Sequence, residues 1–171
     1  CPYNPDGIMN PVLVMCMGLG YLFNMYRNKP LVREGGVIIM THPTYREFHP
    51  VHHPSYIDFF EQVLADTTAP ATMSRKWEKQ YAEDEWYRHL YRTGNAYHGV
   101  HPFYAWYWGA HGLQHAGKVI IVGGDPPTVR RLGFTPASTM DDAFEIASDV
   151  VGRTPTISHL HVPALLVADV Q

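Results

Sequence analysis

Two short histidine clusters carry the side chains most able to do chemistry. One is His98-Gly99-Val100-His101-Pro102; the other is His49-Pro50-Val51-His52-His53-Pro54. Imidazole exchanges a proton near neutral pH and, when neutral, offers a nitrogen to a transition metal. His49, His52 and His53 are therefore candidate metal ligands, and His98 and His101 candidate catalytic groups. Neither cluster has two histidines four apart on a helix with a glutamate between them, so a zinc-protease pattern is absent. Two other readings stay open. The rings can cap backbone groups beside Pro54 and Pro102, or they can touch a substrate or partner.

The His98–His101 cluster runs into Phe103-Tyr104-Ala105-Trp106-Tyr107-Trp108, five aromatics in six positions. Aromatic rings bring large apolar area with a polar handle on Tyr and Trp. The stretch is thus either a pocket floor or the thickest part of the core. Phe103, Trp106 and Tyr107 fall at i, i+3 and i+4 and predict a helix's core face. Tyr104 and Trp108 fall elsewhere around that helix, on a surface a second domain would cover.

Other chemical groups have plainer readings. Gly123-Gly124-Asp125 follows an apolar run, but Pro126-Pro127 come next and no G-x-G-x-x-G is present, which favours a tight turn over a dinucleotide site. Cys16 lies in an apolar stretch and reads as inert packing. Asp58, Glu61, Asp141 and Asp142 read as solvated helix faces or caps. No serine sits in a G-x-S-x-G setting.

The elements that must position these residues follow from pattern. Asn10-Pro11 predicts an N-cap with proline at the first helical position, opening an apolar helix over Val12–Tyr26. Its uncharged run of 15 residues is short of the roughly 20 that span a bilayer. Val37–Met40 and Lys118–Val122 read as strands buried on both faces. Tyr56, Phe59, Phe60, Val63 and Leu64 form a helical stripe, residues 66–74 a turn-rich break, and Arg75–Tyr91 one exposed amphipathic helix. Thr139 is an N-cap with Asp142 where a capping box has Glu, and Gly152 is the stop. Thr156–Val162 and Ala164–Val167 read as short strands. Strand–helix–strand order from 118 to 162 predicts a right-handed crossover. The expected fold is α/β: a mainly parallel sheet of about three to five short strands flanked by helices, in a single domain.

Composition narrows the function classes. Charged residues make up 17 % of the 171, against about a quarter in an average domain. The net charge is -3 and no basic stripe exists, so neither nucleic acid nor an anionic membrane surface is an expected partner. Two cysteines, Cys1 and Cys16, make no disulfide framework and suit the cytoplasm. The sequence starts at Cys1 without a basic segment before an apolar run. The expectation is therefore a piece of a longer protein, without a signal peptide.

Several motifs together carry a resemblance. They are Gly18-x-Gly20-Tyr21-x-Phe23-Asn24-x-Tyr26-Arg27, Pro30-Leu31-Val32-Arg33-Glu34-Gly35-Gly36, His52-His53-Pro54-Ser55-Tyr56 and Ala96-Tyr97-His98-Gly99-Val100-His101-Pro102. His115-Ala116-Gly117-Lys118-Val119-Ile120 and Thr139-Met140-Asp141-Asp142-Ala143 extend it over essentially the whole chain. The sequence resembles the C-terminal domain of lactate racemase-family proteins, in a branch without an assigned function. The resemblance implies two α/β domains with a cleft between them, a nickel-pincer nucleotide held mainly by the N-terminal domain, and inversion at the carbon bearing a 2-hydroxy acid's hydroxyl. The chain's partners would be its own N-terminal domain and a small-molecule substrate, and alone it would be inactive. The family's substrate-holding lysine stands in a Tyr-Pro-Lys-Asp loop. Here that loop matches Tyr3-Asn4-Pro5-Asp6, without a lysine, and only Asp6 carries over as a site residue. The alternative is a binding or assembly module that keeps the fold without the chemistry.

Overall fold

The computed structural model describes residues 10–23 and 30–160. Asp6, the tail of the first apolar helix, and the segment beyond Leu160 lie outside them. The described residues form an α/β fold around a three-stranded parallel sheet, in the order β1 (Val37–Thr41), β2 (Lys118–Val122), β3 (Thr135–Ala137). Val37 pairs with Lys118 and Ile120 with Thr135.

Both faces of the sheet are covered, which is why its strands read as unbroken apolar runs. Val119 and Ile121 point into the main core, with Ile38 and Met40 beside them. Ile120 points the other way, with Val37, Ile39, Ala137, Ala143 and Ala147. Alternate residues serve opposite cores because strand side chains have a period of two.

Helices supply the rest. We number α1 as residues 11–23, α2 as 54–66, α3 as 70–83, α4 as Glu85–Thr93, α5 as His101–His115, α6 as Pro126–Arg131 and α7 as Met140–Val151. The first three each contain a π-helical stretch: Met15–Leu22, Phe59–Val63 and Ser74–Glu78. Among the described residues no helix is long and apolar enough to cross a membrane.

Caps set several boundaries as the sequence predicts. The Asn10 side chain accepts from Val12 N–H, with Pro11 at the first helical position. Thr139 and Asp142 exchange side-chain-to-backbone bonds in a capping box, Asp replacing the usual Glu. Gly152 ends α7 at φ +81°.

Three expectations need correction. The helix expected over Arg75–Tyr91 is two helices. Asp84 stands between them in extended backbone and accepts from Tyr87 N–H as the N-cap of α4. The expected break over 66–74 is shorter, since α3 begins at Pro70. The third strand is Thr135–Ala137, and the described part of the expected strand at 156–162 is not one. Thr156–Leu160 is exposed and forms no strand. The crossover unit is therefore β2–α6–β3.

The α1–α5 contact positions the N-terminus of α5. A Cβ on Gly109 would stand 2.4 Å from Met15 O, a backbone atom that cannot rotate away. Alanine in place of helical glycine normally stabilises by about 1 kcal/mol. Here Gly109→Ala is expected to destabilise by about 1–3 kcal/mol, the cost of overpacking. Urea unfolding checks this, and a stabilised variant contradicts the close packing of the two helices.

Candidate functional site

The loop that carries His49, His52 and His53 leaves the carboxyl end of β1, the side on which open α/β sheets place ligands. The exit is held tightly. Thr44 is buried at φ +46°, a strained backbone for a β-branched residue. Its N–H donates to His42 Nδ1 at 2.9 Å and its hydroxyl to His42 O at 3.2 Å. Burial lowers the pKa of His42.

His49 organises the far end of this loop. Its Nδ1 accepts from His52 N–H at 3.1 Å and Val51 N–H at 3.3 Å. His53 N–H donates to His49 O at 2.9 Å, which leads the chain into α2 at Pro54. The His52 carbonyl then accepts from Tyr97 N–H at 2.9 Å. That bond joins the loop to the turn before α5, so the two histidine clusters, far apart in sequence, meet in space.

Where they meet, three rings form a stack. Tyr97 lies between His53, with centroids 5.3 Å apart and planes at 13°, and His101, at 4.4 Å and 17°. Tyr56, in the first turn of α2 and fully buried, reaches His101 from the side. Its hydroxyl lies 2.6 Å from His101 Nδ1. His49 and His52 adjoin the stack, their rings 4.2 Å apart and His52 edge-on to Tyr97. His53 is buried, while His49, His52, His98 and His101 are half-buried and reach solvent.

His98 and His101 have different surroundings. His98 Nδ1 accepts from Val100 N–H at 3.3 Å, and its ring meets Tyr91 edge-on outside the stack. His101 is the first residue of α5, followed by Pro102. Burial is the larger cause lowering its pKa, and His98 the second. Tyr56 is pushed well above its usual range by burial first, then by Cys16 and Tyr97. Near neutral pH the pair is therefore a neutral imidazole and an intact phenol.

The metal reading finds His49, His52 and His53 adjacent, but the backbone occupies His49 Nδ1. Among the described residues no group of three or more His, Cys, Asp or Glu is placed to hold a metal ion.

Cys16 packs near this site in α1. Burial pushes its thiol from the ordinary 9.0 up to about 11. Only the thiolate is a nucleophile, so at pH 8 alkylation of Cys16 is expected to be about 100-fold slower in the folded protein than in urea. Mass spectrometry of labelled peptides follows this directly; equal rates would contradict the burial. A thiol pKa raised by folding contributes stability below pH 9, and that stability is lost as pH climbs towards 11.

Two residues of the site were not evident as functional from the sequence. Tyr56 reads there only as part of a helical stripe, and Tyr97 only as part of an aromatic run. No local signal singles out Tyr97, which lies in the non-helical turn before α5. No local signal joins Tyr56 to His101. Asp58 differs too from its solvated reading, since it is half-buried and accepts from the Tyr87 hydroxyl and, at 3.3 Å, from Gln62 Nε2. At the turn after β2, Asp125 accepts from Thr128 N–H and caps α6, as a tight-turn reading requires. Comparison with protein families, with curated proteins and with solved structures finds no match to this chain.

Proposed function

We propose that this chain is the C-terminal domain of a lactate racemase-like protein and lines an interdomain site for a 2-hydroxy acid-type substrate. The observation that carries this reading is the convergence of the two histidine clusters on the carboxyl side of the sheet, in half-buried rings that reach solvent. The sequence motifs described above supply the family. His101 contacts a substrate oxygen, His98 stands at the rim, and Asp6 is the residue that the family's substrate loop retains. The cofactor-binding lysine and the acid–base histidines would belong to an N-terminal domain of the same protein, which is also the partner of this surface. If that domain holds a nickel-pincer nucleotide, the group would supply the hydride-transfer chemistry, while the residues of this chain hold and orient the substrate.

A second reading has one specific observation in its favour. The loop Tyr3-Asn4-Pro5-Asp6 has no lysine, so the domain can keep the fold as a binding or assembly module without turnover. The experiment that separates the two readings is a panel of enantiopure 2-hydroxy acids offered to the full-length, cofactor-loaded protein, with optical configuration followed by chiral chromatography. Inversion of at least one member supports the racemase reading. Inactivity across the panel, with cofactor loading verified by mass spectrometry, favours the second.

A further inference from the structure

The proposed function leaves open how His101 acts, because a neutral imidazole with hydrogen on Nδ1 is an acceptor at Nε2, while the opposite tautomer is a donor there. The hydrogen bond of Tyr56 decides between them. The Tyr56 ring is fully buried, and its hydroxyl has His101 Nδ1, 2.6 Å away, as its one hydrogen-bond partner among the described residues. If Nδ1 carried the hydrogen, the phenol oxygen would accept it and the buried phenol hydrogen would have no acceptor, which is costly. If Nδ1 is bare, the phenol donates and both groups are satisfied. The stack on Tyr97 then fixes the plane of the ring. The geometry points to Tyr56 as a positioning residue that locks His101 in the Nε2–H tautomer. His101 is thereby a fixed hydrogen-bond donor, suited to a carboxylate or carbonyl oxygen of the ligand rather than to proton abstraction.

The neighbourhood agrees. Burial and His98 both disfavour the imidazolium, so the neutral donor persists at neutral pH. Protonation would place a hydrogen on Nδ1 facing the phenol and return the pair to the unfavourable arrangement. This inference rests on the reading of His101 as a substrate contact, but the tautomer can be measured without any activity.

The test is a long-range proton–nitrogen spectrum of the full chain with 15N-labelled histidine near pH 7.5, His101 being assigned by its disappearance in His101→Gln. We expect Nδ1 of His101 in the unprotonated range and Nε2 in the protonated range. Tyr56→Phe removes only the hydroxyl. The tautomer ratio is then expected to fall about 10-fold, as for the loss of one hydrogen bond of ordinary strength. A protonated Nδ1 in the wild type overturns the inference whether or not the variant folds. So does an unchanged ratio in a Tyr56→Phe protein whose backbone spectrum stays dispersed. Sodium lactate added to the wild type supplies the last arm. A shift of Nε2–H with the tautomer retained supports the donor role. If the tautomer is as expected but lactate leaves His101 unmoved, the lock stands and the 2-hydroxy acid assignment fails instead.

Discussion

Trp106→Ala is expected to lower the stability of the chain by about 3–5 kcal/mol, the usual cost of emptying a large aromatic site in a packed core. Trp106 is fully buried and faces Phe59 of α2 with ring centroids 6.1 Å apart. It also ties two helices together, since its Nε1–H donates to Thr68 O at 2.9 Å in the connection between α2 and α3. Alanine therefore leaves a cavity and a carbonyl without its donor. The total stability of a domain is only about 5–15 kcal/mol, so this loss is a large fraction of the whole. Urea unfolding followed by circular dichroism measures the loss. Trp106→Phe separates the two causes, because it keeps most of the packing and removes the donor, and it should cost clearly less. A loss below about 1 kcal/mol in Trp106→Ala would mean that α5 does not carry the core.

That prediction follows from an aromatic run whose two halves have opposite environments. Phe103 and Trp106 are fully buried, while Tyr104 and Trp108 are 59 % and 45 % exposed. Tyr107 lies between, half-buried, with its hydroxyl donating to Glu78 at 2.9 Å. Helical periodicity was enough to separate these residues, because burial on one helix is a local geometric property. Caps were legible for the same reason. Asn10, Thr139 and Gly152 act on backbone groups within four residues of themselves.

Long-range features were less legible. Thr135–Ala137 is a strand only because β2 presents an unpaired edge to it. Three residues with a proline in the middle give no strand signal of their own. Asp84 ends one helix and caps the next, and an amphipathic pattern running through it hides the break. At the candidate site the histidines were visible by type and by their spacing within each cluster. The meeting of the two clusters was not visible, since it depends on the bond from Tyr97 N–H to His52 O across 45 residues of chain. The Tyr56 contact with His101 depends on the same tertiary arrangement.

The second large effect concerns His101 itself. A donor aimed at a ligand oxygen inside a water-poor cleft typically contributes about 100- to 1,000-fold in turnover. Glutamine keeps a polar side chain of similar reach but loses the fixed ring that Tyr56 and Tyr97 hold. His101→Gln should therefore lower kcat of the full-length, cofactor-loaded protein by that factor. Stability should change less than in Trp106→Ala, because the His101 ring is half-buried rather than part of the sealed core. His89→Gln is the matched control. His89 is exposed, stacks on Trp86 and lies outside the three-ring stack.

The most direct measurement of the proposed activity is the rate of inversion of a 2-hydroxy acid by the full-length, cofactor-loaded protein, compared among wild type, His101→Gln and His89→Gln at equal folded concentration. The account predicts a loss of about 100-fold or more for His101→Gln and a wild-type rate for His89→Gln. Equal rates for wild type and His101→Gln would contradict the assignment of the site to the His53–Tyr97–His101 stack.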